Sequence, residues 1–316
     1  MKWQVAPEHS GERLDRHLAE HLALPRNQVQ RWIRDGRVRV DGEAATKPAL
    51  ELRPGSWVDC EPPTEAPPSR LAPESGELEI LYCDPHLVVL DKPAGITVHP
   101  GAGRSTGTLA HRLLARFPEI ETVGGPGRPG IVHRLDKGTS GVLAVARSAL
   151  AYQRLAAAFA ARQVQKTYLA IVYGEPRHAA GMIEAPIGRH PSRRKEMAVR
   201  AGGRAARTGY RRRAAAGGLA LLELDLHTGR THQIRVHLKH LGHPLVGDPV
   251  YGEARWRSFP KPRREALEQF SRPALHAWRL VLAHPIDGRR LELVAPPPID
   301  LRDLWVAATG SPWPLS

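Results

Sequence analysis

Leu14, Leu18 and Leu22 recur at intervals of four, which predicts an amphipathic helix near the start of the chain. A second helix is predicted after Pro25, with Val29, Trp32 and Ile33 on its inner face and Arg26, Gln28, Arg31 and Arg34 on the other. Arg37-Val-Arg-Val-Asp-Gly-Glu alternates polar and apolar residues and turns at Asp41-Gly42, a strong hairpin signal. Leu52-Arg-Pro-Gly-Ser-Trp-Val-Asp predicts a closing strand. Residues 61–75 hold five prolines and few apolar positions, so they read as a semi-rigid tether. Beyond it, Leu78–Tyr82 and Leu87–Asp91 predict paired strands, and 142–147, 167–173 and 219–226 predict further ones. Helices are predicted over 108–117, over 148–162 behind Ser148 as N-cap, and along Ile234, Leu238 and Leu241. Strands and helices mix without a βαβ rhythm, which predicts an α+β fold.

Length and charge sharpen this outline. A chain of 316 residues suggests two domains, set here at 1–60 and 76–316 with the tether between. The 46 Lys and Arg exceed the 32 Asp and Glu by 14, which points to a polyanionic partner, nucleic acid first. Aromatic residues are only 5 %, too few for an extended base-stacking platform. Cys60 and Cys83 have no metal-ligand spacing, and no apolar run reaches 18 residues. The first residues lack the apolar core of a signal peptide, so a cytoplasmic protein is expected.

Two motifs match by letter alone. Gly125-Pro-Gly-Arg-Pro-Gly130 has dinucleotide spacing but leads into an extended segment rather than a helix. Gly103-Arg-Ser-Thr-Gly107 has the letters of a nucleophile elbow, which leaves a Ser105 hydrolase as a formal alternative. His232, His237 and His240 lack an acidic or cysteine partner for zinc, so no metal and no cofactor are expected.

The strongest chemistry lies in Gly130-Ile-Val-His-Arg-Leu-Asp-Lys-Gly-Thr-Ser-Gly141. It sets one acid, Asp136, between the basic pair His133 and Arg134 and a turn-forming run, with apolar residues on both sides. Lys166-Thr-Tyr168 sits on a predicted strand, where the tyrosine packs in the core or stacks on a base. Leu226-His-Thr-Gly-Arg-Thr-His-Gln-Ile-Arg-Val-His237 places Arg230 and Arg235 among apolar residues, where a guanidinium needs a carboxylate.

In this order and spacing, these three stretches closely resemble the RluA-type pseudouridine synthases. Asp91–Gly103, His243–Gly252 and Arg272–Ala277 extend the resemblance over nearly all of the chain beyond the tether. The N-terminal module, from Arg13-Leu-Asp through Gly36-Arg-Val-Arg-Val-Asp-Gly to Leu52-Arg-Pro-Gly55, resembles the S4-like (alpha-L) RNA-binding domain. His99-Pro-Gly-Ala-Gly and Ala185–Val199 are most similar to the RluD-like branch. One departure is Gly203-Arg-Ala-Ala-Arg-Thr208, which keeps basic charge where relatives carry a proline.

The resemblance implies a mixed, mostly antiparallel central sheet flanked by helices, and a cofactor-free uridine-to-pseudouridine isomerase. It implies Asp136 as the catalytic aspartate, a nucleophile or charge-stabilising base, with Tyr168 against the uracil and Arg235 as the cation beside Asp136. RNA contacts are expected from His133, Arg134 (as a base-flipping wedge), Arg230, Arg26, Gln28, Arg31, Arg34 and Arg37. The expected substrate is 23S ribosomal RNA, with the helix 69 stem-loop as target, and a monomer needing no protein partner is expected. A synthase acting on another ribosomal site or on transfer RNA is the alternative, followed by a non-catalytic RNA-binding assembly factor.

Overall fold

A computed structural model describes all residues except Ala23, Pro25, 62–70, 102–104, Pro126, Arg194, Lys195 and Ser316, with the Asn27 side chain also left aside. Most of the expected tether therefore lies outside the described residues. The chain divides into two compact units, Met1–Arg70 and Leu71–Ser316. Leu71 packs on the core of the second unit, and Glu74 accepts the Gly107 amide there, so the end of the expected tether belongs to that unit.

The first unit holds β1 (Lys2–Gln4), α1 (Leu14–His21), α2 (Arg26–Arg34), β2 (Val38–Val40), β3 (Glu43–Ala44) and β4 (Trp57–Cys60). Its sheet runs β1-β4-β2-β3. Leu14, Leu18, Val29, Trp32 and Ile33 form its core, as their spacing predicts. Asp41 and Gly42 both take positive φ, the geometry that lets a two-residue turn join twisted strands.

The second unit begins with β5 (Glu79–Cys83), β6 (Leu87–Lys92), α3 (Leu109–Arg116), β7 (Ser140–Ala146), α4 (Ala149–Ala160) and β8 (Gln165–Tyr173). Then come β9 (Ala180–Glu184), β10 (Ile187–Arg189), β11 (Met197–Val199), β12 (Arg207–Ala216), β13 (Leu219–Leu226) and α5 (Gln233–His240). It closes with α6 (Arg263–Gln269), β14 (Leu275–Ala283), β15 (Arg290–Val294) and α7 (Ile299–Thr309). Among the described residues, a sheet in the order β5-β6-β7-β14-β8-β13-β12-β9, with β15 on β14, spans this unit, and β10 pairs with β11 as a separate hairpin. Among the described residues only β14 and β7 pair in parallel. The fold is thus α+β with a mixed, mostly antiparallel sheet.

Central β8 shows why its sequence is apolar rather than alternating. Tyr168, Ala170 and Val172 face one core with α3, α4 and α5, while Leu169, Ile171 and Tyr173 face a second core with α6 and α7. A strand covered on both faces has no polar side to show. Among the described residues no helix is long and apolar enough to cross a membrane.

Candidate active site

The loop that carries Asp136 is pinned at both ends by glycine. Gly130 and Gly141 take φ of 64° and 112°, and a Cβ on either would run into the carbonyl oxygen of Ala146 or Ala277. Ile131 bridges to Val145 of β7, and the Asp136 carbonyl accepts the Thr139 amide to close the turn. The carboxylate of Asp136 comes out partly exposed, at 22 %.

Around it lies a narrow pocket of about 130 Å³, lined by Arg134, Tyr168, Arg230, His232 and Arg235 among others. The structure thus brings together the acid, the tyrosine and the arginines of three distant sequence stretches. Tyr168 is buried, and burial together with the negative charge of Asp136 pushes its phenol above the ordinary value, so it stays neutral. Arg134 is exposed at the pocket wall.

Arg235 corrects the sequence reading in part. Its Nη1 reaches Asp136 Oδ2 at 3.4 Å, but its two short hydrogen bonds, 2.6 and 2.8 Å, go to Asp248. Burial disfavours ionised Asp248, yet the Arg235 guanidinium and the Val250 and Tyr251 amides outweigh it and hold its carboxyl low. Asp248 therefore neutralises the buried cation, and Asp136 receives only its flank. Arg230 departs further: it has no carboxylate partner among the described residues and donates to the Ala205 carbonyl at 3.1 Å.

Other expectations also shift. His133 turns inward, where its Nε2 accepts the Ala144 amide at 2.9 Å and its ring stacks on Phe159, so it braces the loop. Ser105 is exposed and stands ahead of α3, without the immediate strand-to-helix turn an elbow requires; Gly103 and Arg104 lie outside the described residues. His237 bonds Thr208 and Ala185, and His232 bonds Tyr251. In the first unit Arg26, Gln28, Arg31, Arg34 and Arg37 are exposed as expected, and Arg26 also forms an ion pair with buried Asp15.

Sequence reasoning missed Asp248, His232, Tyr251 and Lys92. Lys92 is fully buried at the end of β6 and donates to the Pro93 and Ile96 carbonyls. Burial brings its ammonium down to about 8, against the upward pull of Asp136.

A larger groove of about 1020 Å³ borders the pocket at Leu226 and is lined by Arg162, Lys166 and Arg207. Burial and the charge of Arg162 lower the affinity of Lys166 for its proton, and Arg162 also bears on Arg230. Arg162, Lys166 and Arg230 have no carboxylate partner among the described residues, so a fixed polyanion would relieve their repulsion.

Comparison with known proteins gives the chain's family. The pattern of the RNA pseudouridylate synthases matches residues 86–240, and that of the S4 domain matches 12–58. The chain is 47 % identical over 299 residues to an uncharacterised RNA pseudouridine synthase of Chloroflexus aurantiacus, covering 94 % of this chain and 90 % of that one. It is 44 % identical over 313 residues to the ribosomal large subunit pseudouridine synthase D of Xanthomonas campestris pv. campestris, covering 97 % and 92 %. Among solved structures, human RNA pseudouridylate synthase domain containing 1 superposes with a TM-score of 0.57 at 29 % identity, over 73 % of this chain and 89 % of that one. The chain belongs to the RluA-type family of RNA pseudouridine synthases and is a pseudouridine synthase, an isomerase, that carries an S4 domain.

Proposed function

We propose that the chain isomerises specific uridines of large-subunit ribosomal RNA, with Asp136 as the reacting carboxylate. The observation that carries this reading is the partly exposed Asp136 carboxylate in a one-base pocket, flanked but not captured by Arg235. At about 130 Å³ the pocket is well below the roughly 300–1,000 Å³ of small-molecule sites, which suits a single extruded base.

The reaction breaks the bond from ribose C1′ to uracil N1 and forms one from C1′ to C5. The hydrogen on C5 leaves as a proton and N1 gains one, so no electrons are exchanged with a cofactor. Asp136 assists departure of the base, the Tyr168 ring gives the free uracil a surface on which to turn, and Arg235 offsets the negative charge. Arg134, at the pocket wall, fills the space the base vacates; extrusion costs a few kcal/mol, least for an unpaired loop nucleotide.

The relatives named as ribosomal large subunit pseudouridine synthase D support the ribosomal substrate. The sequence resemblance to the RluD-like branch favours the helix 69 stem-loop, a substrate met in the cytoplasm. The exposed face of α2 with Arg31 and Arg34, together with exposed Arg37 just ahead of β2, supports a hold on folded RNA by phosphate contacts. Mapping pseudouridine in ribosomal and transfer RNA of cells with and without the gene tests this. Loss confined to helix 69 is expected, and loss only in transfer RNA would contradict it.

A further inference from the structure

His232 stands just before α5 with φ 56° and ψ 21°, a left-handed backbone that non-glycine residues rarely hold. Such strain persists where surrounding contacts over-determine it. Here the contact is Tyr251. The Tyr251 hydroxyl accepts the Met197 amide at 2.9 Å and lies 3.0 Å from His232 Nδ1. Tyr251 is 3 % exposed, and among the described residues its hydroxyl proton has no other acceptor. Nδ1 is therefore the acceptor, and the neutral ring carries its proton on Nε2. Burial favours that neutral form, although Asp136 pulls the other way.

The Nε2–H edge faces Asp136 Oδ2 at 3.9 Å, the same oxygen that Arg235 approaches at 3.4 Å. Among the described residues nothing hydrogen-bonds Oδ1. Tyr251 serves both donors at once: its ring lies under the Arg235 guanidinium at 4.9 Å while its hydroxyl sets the His232 tautomer. Its own amide donates to Asp248, the carboxylate that anchors Arg235.

We propose that His232 and Tyr251 are positioning residues that, with Arg235, hold Asp136 by Oδ2 and leave Oδ1 as the oxygen that reacts. Closure of the 3.9 Å gap to a hydrogen bond on substrate binding completes the arrangement, as apo contacts of this kind commonly tighten. The inference rests on Asp136 being the reactive acid.

Tyr251→Phe keeps the ring under Arg235 and removes only the hydroxyl. Nitrogen-15 NMR of histidine-labelled protein should show His232 protonated at Nε2 in the wild type and a tautomer mixture in Tyr251→Phe. In tritium release from RNA labelled at uridine C5, Tyr251→Phe should lower kcat about tenfold or more with KM unchanged, the scale expected when a reacting group loses its alignment. His232→Gln, which keeps an N–H near the Nε2 position, should retain most of the kcat that His232→Leu loses. Both variants bear the same backbone strain, so their difference isolates the N–H. Wild-type kcat in Tyr251→Phe, equal rates for His232→Gln and His232→Leu, or an Nδ1-protonated wild type would each overturn the proposal. Absence of tritium release from the wild type would instead refute the functional reading, while the NMR would still report the tautomer.

Discussion

Arg13-Leu14-Asp15 and Arg134-Leu135-Asp136 are the same tripeptide in two units of one chain, and the two acids meet opposite fates. Asp15 is fully buried and accepts paired bonds from Arg13 and from Arg26, all 3.0–3.1 Å, with a further bond of 2.5 Å from Gln30. Burial alone would raise its pKa, but these donors hold the carboxyl well below the usual range. Among the described residues, Asp136, 22 % exposed, meets Arg235 at 3.4 Å and His232 at 3.9 Å and gets no ion pair from its neighbour Arg134. A carboxylate whose lone pairs are all committed is structure; one left short of donors at the wall of a pocket has lone pairs available for chemistry. The difference is made by Asp248, which takes the two strong bonds of Arg235 and so keeps Arg235 from closing on Asp136.

Short of replacing Asp136 itself, the largest effect expected is from Asp248→Asn. It leaves the buried Arg235 without its counter-charge, at a cost of about 3–5 kcal/mol, and frees the guanidinium to close on Asp136. Chemical denaturation should show the lost stability, and kcat should fall about 10²-fold. Asp15→Ala should cost about 2–4 kcal/mol, less because Arg13 and Arg26 are half-exposed and can return to water. That loss should appear in melting of the first unit, with kcat at saturating RNA within about twofold of wild type. A large drop in kcat would break the contrast between the two acids.

The groove beside the pocket gives a smaller effect. Arg162→Asn, chosen because asparagine tolerates φ of 61°, combined with Lys166→Gln should lower the slope of log affinity against log salt by about 0.7 for each cation removed. An unchanged slope would take these cations out of the RNA path. The smallest effect concerns Asp91, whose carboxyl is raised to about 6 by burial and then by Glu79. With its folded pKa above the unfolded value near 3.9, its stabilising contribution is present below that value and lost as pH rises through 6. Asp91→Asn should therefore raise stability by about 1–2 kcal/mol at pH 8 and by nothing at pH 3.5, read from denaturation midpoints at the two values.

Periodicity made the elements around the site legible. The stripes of α1 and α2, the strands β5 to β8 and β13, and α3 to α5 follow local spacing, and the order of the three motif stretches pointed to Asp136, Tyr168 and Arg235. Long-range pairing was not legible. Near the end of the chain, β14 inserts between β7 and β8, a placement no local pattern encodes. The site's electrostatics depend on such placements: Asp248 meets Arg235 only after the chain turns back behind α5, and the strain at His232 is a backbone fact that residue type does not announce. Arg26 and His133 illustrate the same limit, since an outward helix position says nothing of a buried acid within reach, and a histidine beside a catalytic loop says nothing of the strand amide it accepts.

The direct test is tritium release from ribosomal RNA labelled at uridine C5, with Asp136→Asn measured beside wild type. The substitution removes one charge from a partly exposed position, so the folded protein should persist with its RNA affinity intact. The account predicts binding without release of tritium, a loss of at least 10³-fold on the scale of removing an essential reacting group. Release by Asp136→Asn at the wild-type rate would contradict it.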